Sequence, residues 1–162
     1  MNLISTMNYS LKDETGKTYT EKEWVDYAVA CGFHTMEISA RQLPENPLQI
    51  DEIIAYAKQR GMELSLHAPF GCNNITDTDE ENRKKSIAQV KSSIDLAAKH
   101  NMRVVTFHPG RCAESGEDPK KKWPLLLQVV AEIAAYAKEK KVRVGIENME
   151  CREKELVLPL KI

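Results

Sequence analysis

Short β-prone segments alternate strictly with longer amphipathic segments along this chain, and this alternation constrains the fold more than any other feature. Each short segment has the two-residue periodicity of a strand. The predicted strands are Leu3 to Met7, Thr35 to Ser39, Glu63 to His67, Arg103 to His108 and Arg143 to Glu147. Strict alternation of strands and helices predicts an α/β fold with a parallel sheet and right-handed crossover connections.

The longer segments carry apolar residues at the three- and four-residue spacing of helices. The first begins with a capping box, in which Thr20 precedes Glu23 by three positions, and Gly32 follows its end. Gly61 follows the second helix in the same way. The predicted helices are Thr20 to Cys31, Gln49 to Arg60, Asp79 to His100 and Lys120 to Lys140.

Each predicted strand has one apolar face and one face that ends in a polar or ionisable group. In the third strand, Leu64 and Leu66 point one way, whereas Ser65 and His67 point the other way. A doubly wound sheet is covered by helices on both faces and favours continuous apolar strands, while a barrel has helices only outside. The pattern therefore predicts a (β/α)₈-type barrel. The absence of a G-x-G-x-x-G or Walker motif lowers the weight of the nucleotide-binding alternatives.

Composition narrows the possible partners and the compartment. The chain has 162 residues and a net charge of −1, so no global field attracts nucleic acid or an anionic membrane. No apolar run approaches the ~20 residues of a membrane span, and the N-terminus does not resemble a signal peptide. The cysteines have no C-x-x-C spacing, and we interpret them as free thiols of a reducing cytoplasm: Cys31, Cys72, Cys112 and Cys151.

Two histidines and one glutamate occupy the carboxyl ends of three predicted strands. His67, His108 and Glu147 each fall on the face that points into the barrel, so they should converge where barrel enzymes place their chemistry. Two imidazoles and a carboxylate suit a divalent ion such as zinc or manganese. A metal site is favoured over three separate, hydrogen-bonded structural residues.

Other polar residues have weaker assignments. Glu37 also faces inward, where it could bind substrate, orient a metal ligand through a hydrogen bond, or remain a solvated rim carboxylate. Ser65 and Thr106 are expected to fill space inside the barrel. His34 and His100 lie at helix-to-strand turns at the opposite end and are expected to be structural or exposed. The lysine run at positions 120 to 122 is expected to be solvated, although it could attract a phosphate.

Three sequence motifs resemble the xylose isomerase-like barrel superfamily: LHAPF at Leu66, FHPG at Phe107 and IENM at Ile146. This superfamily includes sugar-phosphate isomerases and epimerases and the endonuclease IV type of abasic-site nuclease. The resemblance implies that Glu147 is a direct metal ligand. It also implies that His67 and His108 bind metal in the nuclease branch and lie near the substrate in the sugar-isomerase branches.

A barrel of this type takes about 250 residues, so the chain holds about five βα units. We expect a partial barrel at residues 1–150, a tail at 151–162, and a product that is truncated or completes itself by association. The first and last strands would then be open edges, which predicts a homo-oligomer.

Three functions follow as hypotheses. The first is a sugar or sugar-phosphate isomerase or epimerase of carbohydrate metabolism, with Glu147 catalytic and with Glu37, His67 and His108 binding substrate. The second is an endonuclease IV-like hydrolase of abasic DNA, which the net charge and the lack of a basic stripe disfavour. The third is a truncated, non-catalytic domain that binds metal or only oligomerises.

Overall fold

The computed structural model describes residues 4–7, 11–40, 46–70, 73–111 and 119–147. These residues contain one parallel sheet whose strands lie side by side in chain order. The strands are β1 (Ile4–Met7), β2 (Thr35–Ser39), β3 (Glu63–His67), β4 (Val104–Phe107) and β5 (Arg143–Ile146). All the predicted strands are present, and the strand order is that of consecutive βα units in a barrel.

The helices also follow the sequence signals. Thr20 caps the first helix through the predicted capping box, and Asn46 and Asp79 cap the next two with their side chains. The fourth helix starts later than predicted, because Pro119–Lys122 forms a 3₁₀ turn ahead of it. The helices are α1 (Glu21–Ala30), α2 (Pro47–Gln59), α3 (Glu80–Lys99) and α4 (Trp123–Glu139). Within the described ranges, no helix is long and apolar enough to cross a membrane.

Every helix enters its following strand through the same turn. The residue two positions past the C-cap donates its backbone N–H to the carbonyl of a buried alanine near the helix end, as Met62 does to Ala57 at 3.1 Å. The residue before it has positive φ, a conformation that glycine adopts without steric strain. These positive-φ residues are Gly32, Gly61, Asn101 and Lys141. The similar junctions visible in the sequence therefore share one backbone geometry.

The two faces of the sheet have different environments. Apolar strand residues on the helix side are fully buried, among them Met36, Leu66 and Val105. Residues on the opposite face, such as Glu37 and Thr106, are only partly buried. This division confirms a partial barrel with helices outside and a polar inner face.

Candidate metal centre

The structure brings together the three residues that the sequence placed at strand ends. His67 is the last residue of β3, and His108 and Glu147 directly follow β4 and β5. The Oε2 atom of Glu147 lies 3.0 Å from Nε2 of His67 and 3.0 Å from Nε2 of His108. One potential ligand atom from each residue lies within 4.8 Å of the others. Parallel strands with matched registers explain this convergence, since their carboxyl ends share one edge of the sheet.

The hydrogen bonds of His67 define which of its nitrogens can bind a metal. Its Nδ1 lies 2.8 Å from the carbonyl oxygen of Ala68, which can only accept, so Nδ1 carries a proton and donates it. In the neutral imidazole, Nε2 then has a lone pair, and this lone pair faces the Glu147 carboxylate. Two acceptors at this distance repel each other unless a proton or a metal cation lies between them. The arrangement therefore requires a positive charge at the cluster.

The electrostatics of Glu147 agree with this requirement. Its hydrogen bond with His67 is the main cause of a pKa below the ordinary value of 4.5, and the nearby His108 lowers that pKa further, whereas burial raises it. The Glu147 side chain is 46% exposed, but that of His67 is only 9% exposed. The carboxylate is therefore ionised at neutral pH and remains open to the inner face of the sheet.

The donor set fits a divalent transition metal. Zinc lies about 2.0–2.2 Å from nitrogen and oxygen ligands, so neighbouring donors in a tetrahedral site stand about 3.3 Å apart. The two observed separations of 3.0 Å approach this value before any metal is considered. The carbonyl partner of His67 also supplies the outer hydrogen bond that orients a metal-binding imidazole.

Phe70 packs against both imidazoles. Its ring stacks on His108 with a centroid distance of 5.1 Å and meets His67 edge-on at 5.0 Å. Such contacts restrict the orientations of both rings and shield them from water on one side. In the sequence, this phenylalanine stands out only as the last residue of the LHAPF motif. Its position three residues after His67, in the loop after β3, was the signal that could have identified it.

Glu37 lies on the same inner face but outside this cluster of described residues. Its Oε2 accepts a hydrogen bond from the hydroxyl of Thr106 at 3.1 Å. Thr106 therefore binds a carboxylate as well as filling space. Among the described residues, Glu37 therefore lies beside the candidate metal-binding group of His67, His108 and Glu147 and is not one of its members.

A hydrogen-bonded clamp joins the loops after β3 and β4. The Asn74 side chain accepts from the backbone N–H of Thr76 and of Arg111, at 3.2 and 2.9 Å, and from the Thr76 hydroxyl at 3.0 Å. Its amide also donates to the Arg111 carbonyl at 3.2 Å. Gly110 has φ of 101°, and a Cβ there would lie 2.3 Å from the Thr76 hydroxyl oxygen and 2.8 Å from Asn74 Oδ1. The clamp fixes the segment that begins at His108.

The remaining candidates lie elsewhere. His34 is exposed, and His100 pairs with Asp51 at 2.8 Å at the opposite end of the sheet. Lys122 is buried and donates to the carbonyl of Thr76, whereas the two lysines before it are exposed. Cys31 is an exposed free thiol. Three cysteines lie outside the described residues: Cys72, Cys112 and Cys151.

Comparisons with known proteins identify the family. The family model described as "Xylose isomerase-like TIM barrel" matches residues 25–157. An uncharacterised protein of Methanocaldococcus jannaschii is 27% identical over 99 residues, which cover 61% of this chain and 39% of that protein.

Solved structures show the same fold at lower identity. D-psicose 3-epimerase from Clostridium cellulolyticum H10, solved with D-tagatose, is 21% identical with a TM-score of 0.72, over 89% of this chain and 51% of its own. A D-tagatose 3-epimerase-like protein is 20% identical with a TM-score of 0.76, over 96% of this chain and 55% of its own. A Thermus thermophilus protein soaked with ZnCl2 is 19% identical with a TM-score of 0.64, over 90% of this chain and 54% of its own. The chain thus spans about half the length of these solved proteins.

Proposed function

Because the chain belongs to the xylose isomerase-like TIM barrel family, we propose that it is a sugar or sugar-phosphate isomerase or epimerase with a divalent metal at His67, His108 and Glu147. One observation carries the proposal. Nε2 of His67 and the carboxylate of Glu147 meet at 3.0 Å, close enough for one divalent cation to bind both, and either such a cation or a proton between them satisfies the pair. The sugar epimerases among the solved structures of the same fold support the choice of substrate class.

In this proposal each residue has a chemical role. A bound divalent cation would act as a Lewis acid toward adjacent oxygens of a hydroxy-carbonyl substrate. Glu147, whose pKa is lowered chiefly by its hydrogen bond with His67, supplies a carboxylate that would accept a proton from one substrate carbon and return it to the adjacent carbon in an isomerisation. An epimerisation would in addition need a second proton donor on the opposite side of the substrate. His67 and His108 hold the cation and contact the substrate oxygens, and Glu37 binds a substrate hydroxyl from the wall of the site. Phe70 keeps both imidazoles oriented and excludes water.

Zinc and manganese are the proposed metals. Imidazole nitrogen favours zinc among the divalent ions, while a carboxylate and open positions also accept manganese. The zinc-soaked structure of the same fold is consistent with the first choice.

The first experiment measures bound metal by elemental analysis after loading with zinc or manganese. We expect about one metal per chain, as a single three-residue site predicts, and its loss in His108→Ala and Glu147→Ala. His34→Ala is the matched control, because this exposed imidazole directly precedes the amino end of β2, whereas the candidate site lies at the carboxyl ends of the strands. Equal metal content in all four proteins would refute the site.

The second experiment assays the loaded chain on ketohexoses and sugar phosphates. Epimerisation or isomerisation that disappears in Glu147→Gln is the expected result, since the amide cannot accept the substrate proton. Metal binding without turnover of any tested sugar would instead support the non-catalytic alternative.

We further propose a cytoplasmic homo-oligomer built from a partial barrel at residues 1–150 with a tail at 151–162. Among the described strands, β1 and β5 each have a neighbour on one side only, and such edges favour pairing with another chain. Light scattering that gives the mass of a monomer of 18.4 kDa at all concentrations would contradict the oligomer.

A further inference from the structure

A cavity of about 450 Å³ opens at the amino ends of the strands, at the opposite end of the sheet from the metal centre. Its volume lies within the range of small-molecule binding sites. The first residues of β2, β3, β4 and β5 line it, together with the turns that enter β3 and β4. Arg143 in its wall lies four residues before Glu147, so about 13 Å of strand separates the two regions. The cavity is therefore a potential site distinct from the metal cluster.

The charges that line this cavity are mostly positive. Lys58, Arg103 and Arg143 contribute basic side chains, and Glu63 contributes the acidic one. All four residues are exposed, so a ligand can reach them from solvent. This local excess of positive charge contrasts with the net charge of −1 of the whole chain. The amino end of the sheet should therefore attract anions.

The two arginines are close neighbours without an anionic partner. The backbone N–H of Arg143 donates to the carbonyl of Arg103 at 2.9 Å, so the two residues lie side by side on adjacent strands. Within the ranges that the structure describes, neither guanidinium forms an ion pair or a hydrogen bond. Arg60, by contrast, contacts Asp26 at 2.7 Å. Like charges side by side in a sheet repel each other, so this juxtaposition opposes folding unless an anion neutralises it.

The donors in the cavity suit a phosphate group. Each guanidinium presents a planar fork that can bind two phosphate oxygens at once. Lys58 adds a further positive charge, and its ammonium group also donates to the carbonyl of His100. Ser65 and Asn101 line the same cavity and offer neutral polar groups to the hydroxyls of an attached molecule.

We propose that this cavity binds the phosphate group of a small molecule, held chiefly by Arg103 and Arg143. The site does not depend on the metal centre or on the proposed catalytic function. Free inorganic phosphate and a phosphorylated sugar share this chemistry, and the experiment distinguishes the two sources.

Calorimetric titration of the full chain without added metal tests the proposal. The probes are inorganic phosphate, fructose 6-phosphate and, as an uncharged comparison, fructose. Arg103→Gln and Arg143→Gln each remove one positive charge from the cavity. Lys138→Gln is the matched control, because it removes the same charge from an exposed position in the last turn of α4 that does not line the cavity.

We expect both phosphates, but not fructose, to bind the wild type. Each arginine variant should weaken phosphate binding about 10-fold or more, the effect of one hydrogen bond to a charged group. Arg143→Lys should lose less, because it keeps the charge without the fork. The melting temperature of the arginine variants in phosphate-free buffer should not fall, since neither guanidinium loses a partner among the described residues. Tighter binding of fructose 6-phosphate would identify a phosphorylated sugar as the ligand, and equal affinities would identify free phosphate.

Glu147→Ala separates this site from the metal centre. Its phosphate affinity should equal that of the wild type, and a loss would place the anion at the cluster instead and overturn the inference. Equal phosphate affinity in the wild type and both arginine variants, or an equal loss in Lys138→Gln, would also overturn it. The absence of phosphate binding by the wild type would refute this inference alone, because the metal and turnover experiments do not involve the cavity.

Discussion

Removal of the Asn74 side chain should both destabilise the fold and loosen the metal centre. Asn74→Ala deletes two hydrogen bonds with Arg111 that join the loops after β3 and β4, and two hydrogen bonds with Thr76 inside the first of these loops. Two of these bonds involve the backbone of Arg111, which lies three residues after the candidate ligand His108. The substitution therefore frees the segment that positions one imidazole.

The magnitude follows from the groups left without partners. A typical protein hydrogen bond contributes about 1 kcal/mol, so four of them set an upper range of about 4 kcal/mol. Arg111 is only partly buried, and water can replace some of its lost bonds. We therefore expect a loss of about 2–3 kcal/mol in the free energy of unfolding. Asn74→Asp keeps the three acceptor bonds but places an oxygen against the Arg111 carbonyl, which should cost about 1–2 kcal/mol.

Urea unfolding at neutral pH measures these losses, and zinc titration of the same variants measures the effect on the site. Asn82→Ala is the control, because that asparagine lies exposed in the first turn of α3 and alanine favours helix.

Gly110→Ala should match Asn74→Ala in both assays, since its Cβ would collide with the clamp. A change below about 0.5 kcal/mol in Asn74→Ala, within the range of ordinary surface substitutions, would refute the clamp. Unaltered zinc affinity would refute its link to His108.

Two further predictions concern local backbone and charge. Lys141→Gly should raise the free energy of unfolding by about 1 kcal/mol, because φ at this position is +59°, whereas Lys138→Gly inside the last turn of α4 should lower it by about 1 kcal/mol. Equal effects in urea unfolding would contradict the junction geometry. The pKa of Asp13 is lowered to about 2 from 3.8, chiefly by the hydroxyl of Thr15 and next by that of Tyr19. Its contribution to stability is therefore complete above pH 3.8 and lost as the pH falls toward 2, so Asp13→Asn should show a smaller loss of stability across that window. An unchanged slope of melting temperature against pH would disprove this assignment.

Signals that act over one turn or one strand were sufficient to predict the elements of the fold. Thr20 and Glu23 lie within hydrogen-bond reach as soon as a helix forms, so their spacing marked the start of α1. Strand alternation likewise predicted that His67 faces inward. The predicted start of α4 at Lys120 was wrong, because the lysines before Trp123 belong to a 3₁₀ turn. No local pattern of residues distinguishes that turn from the first turn of the helix.

The sequence by itself therefore determined which side chains lie at strand ends and on which face, because periodicity and chain order decide both. Only the tertiary structure decided which of them meet. His67 and Glu147 are 80 positions apart, and the curvature and register of three strands bring their atoms to 3.0 Å. The same geometry pairs Glu37 with Thr106 instead of the cluster, and it leaves the Ser39 hydroxyl without a hydrogen bond to the described residues. Such pairings depend on distances between chain segments, and no local pattern of residues specifies those distances.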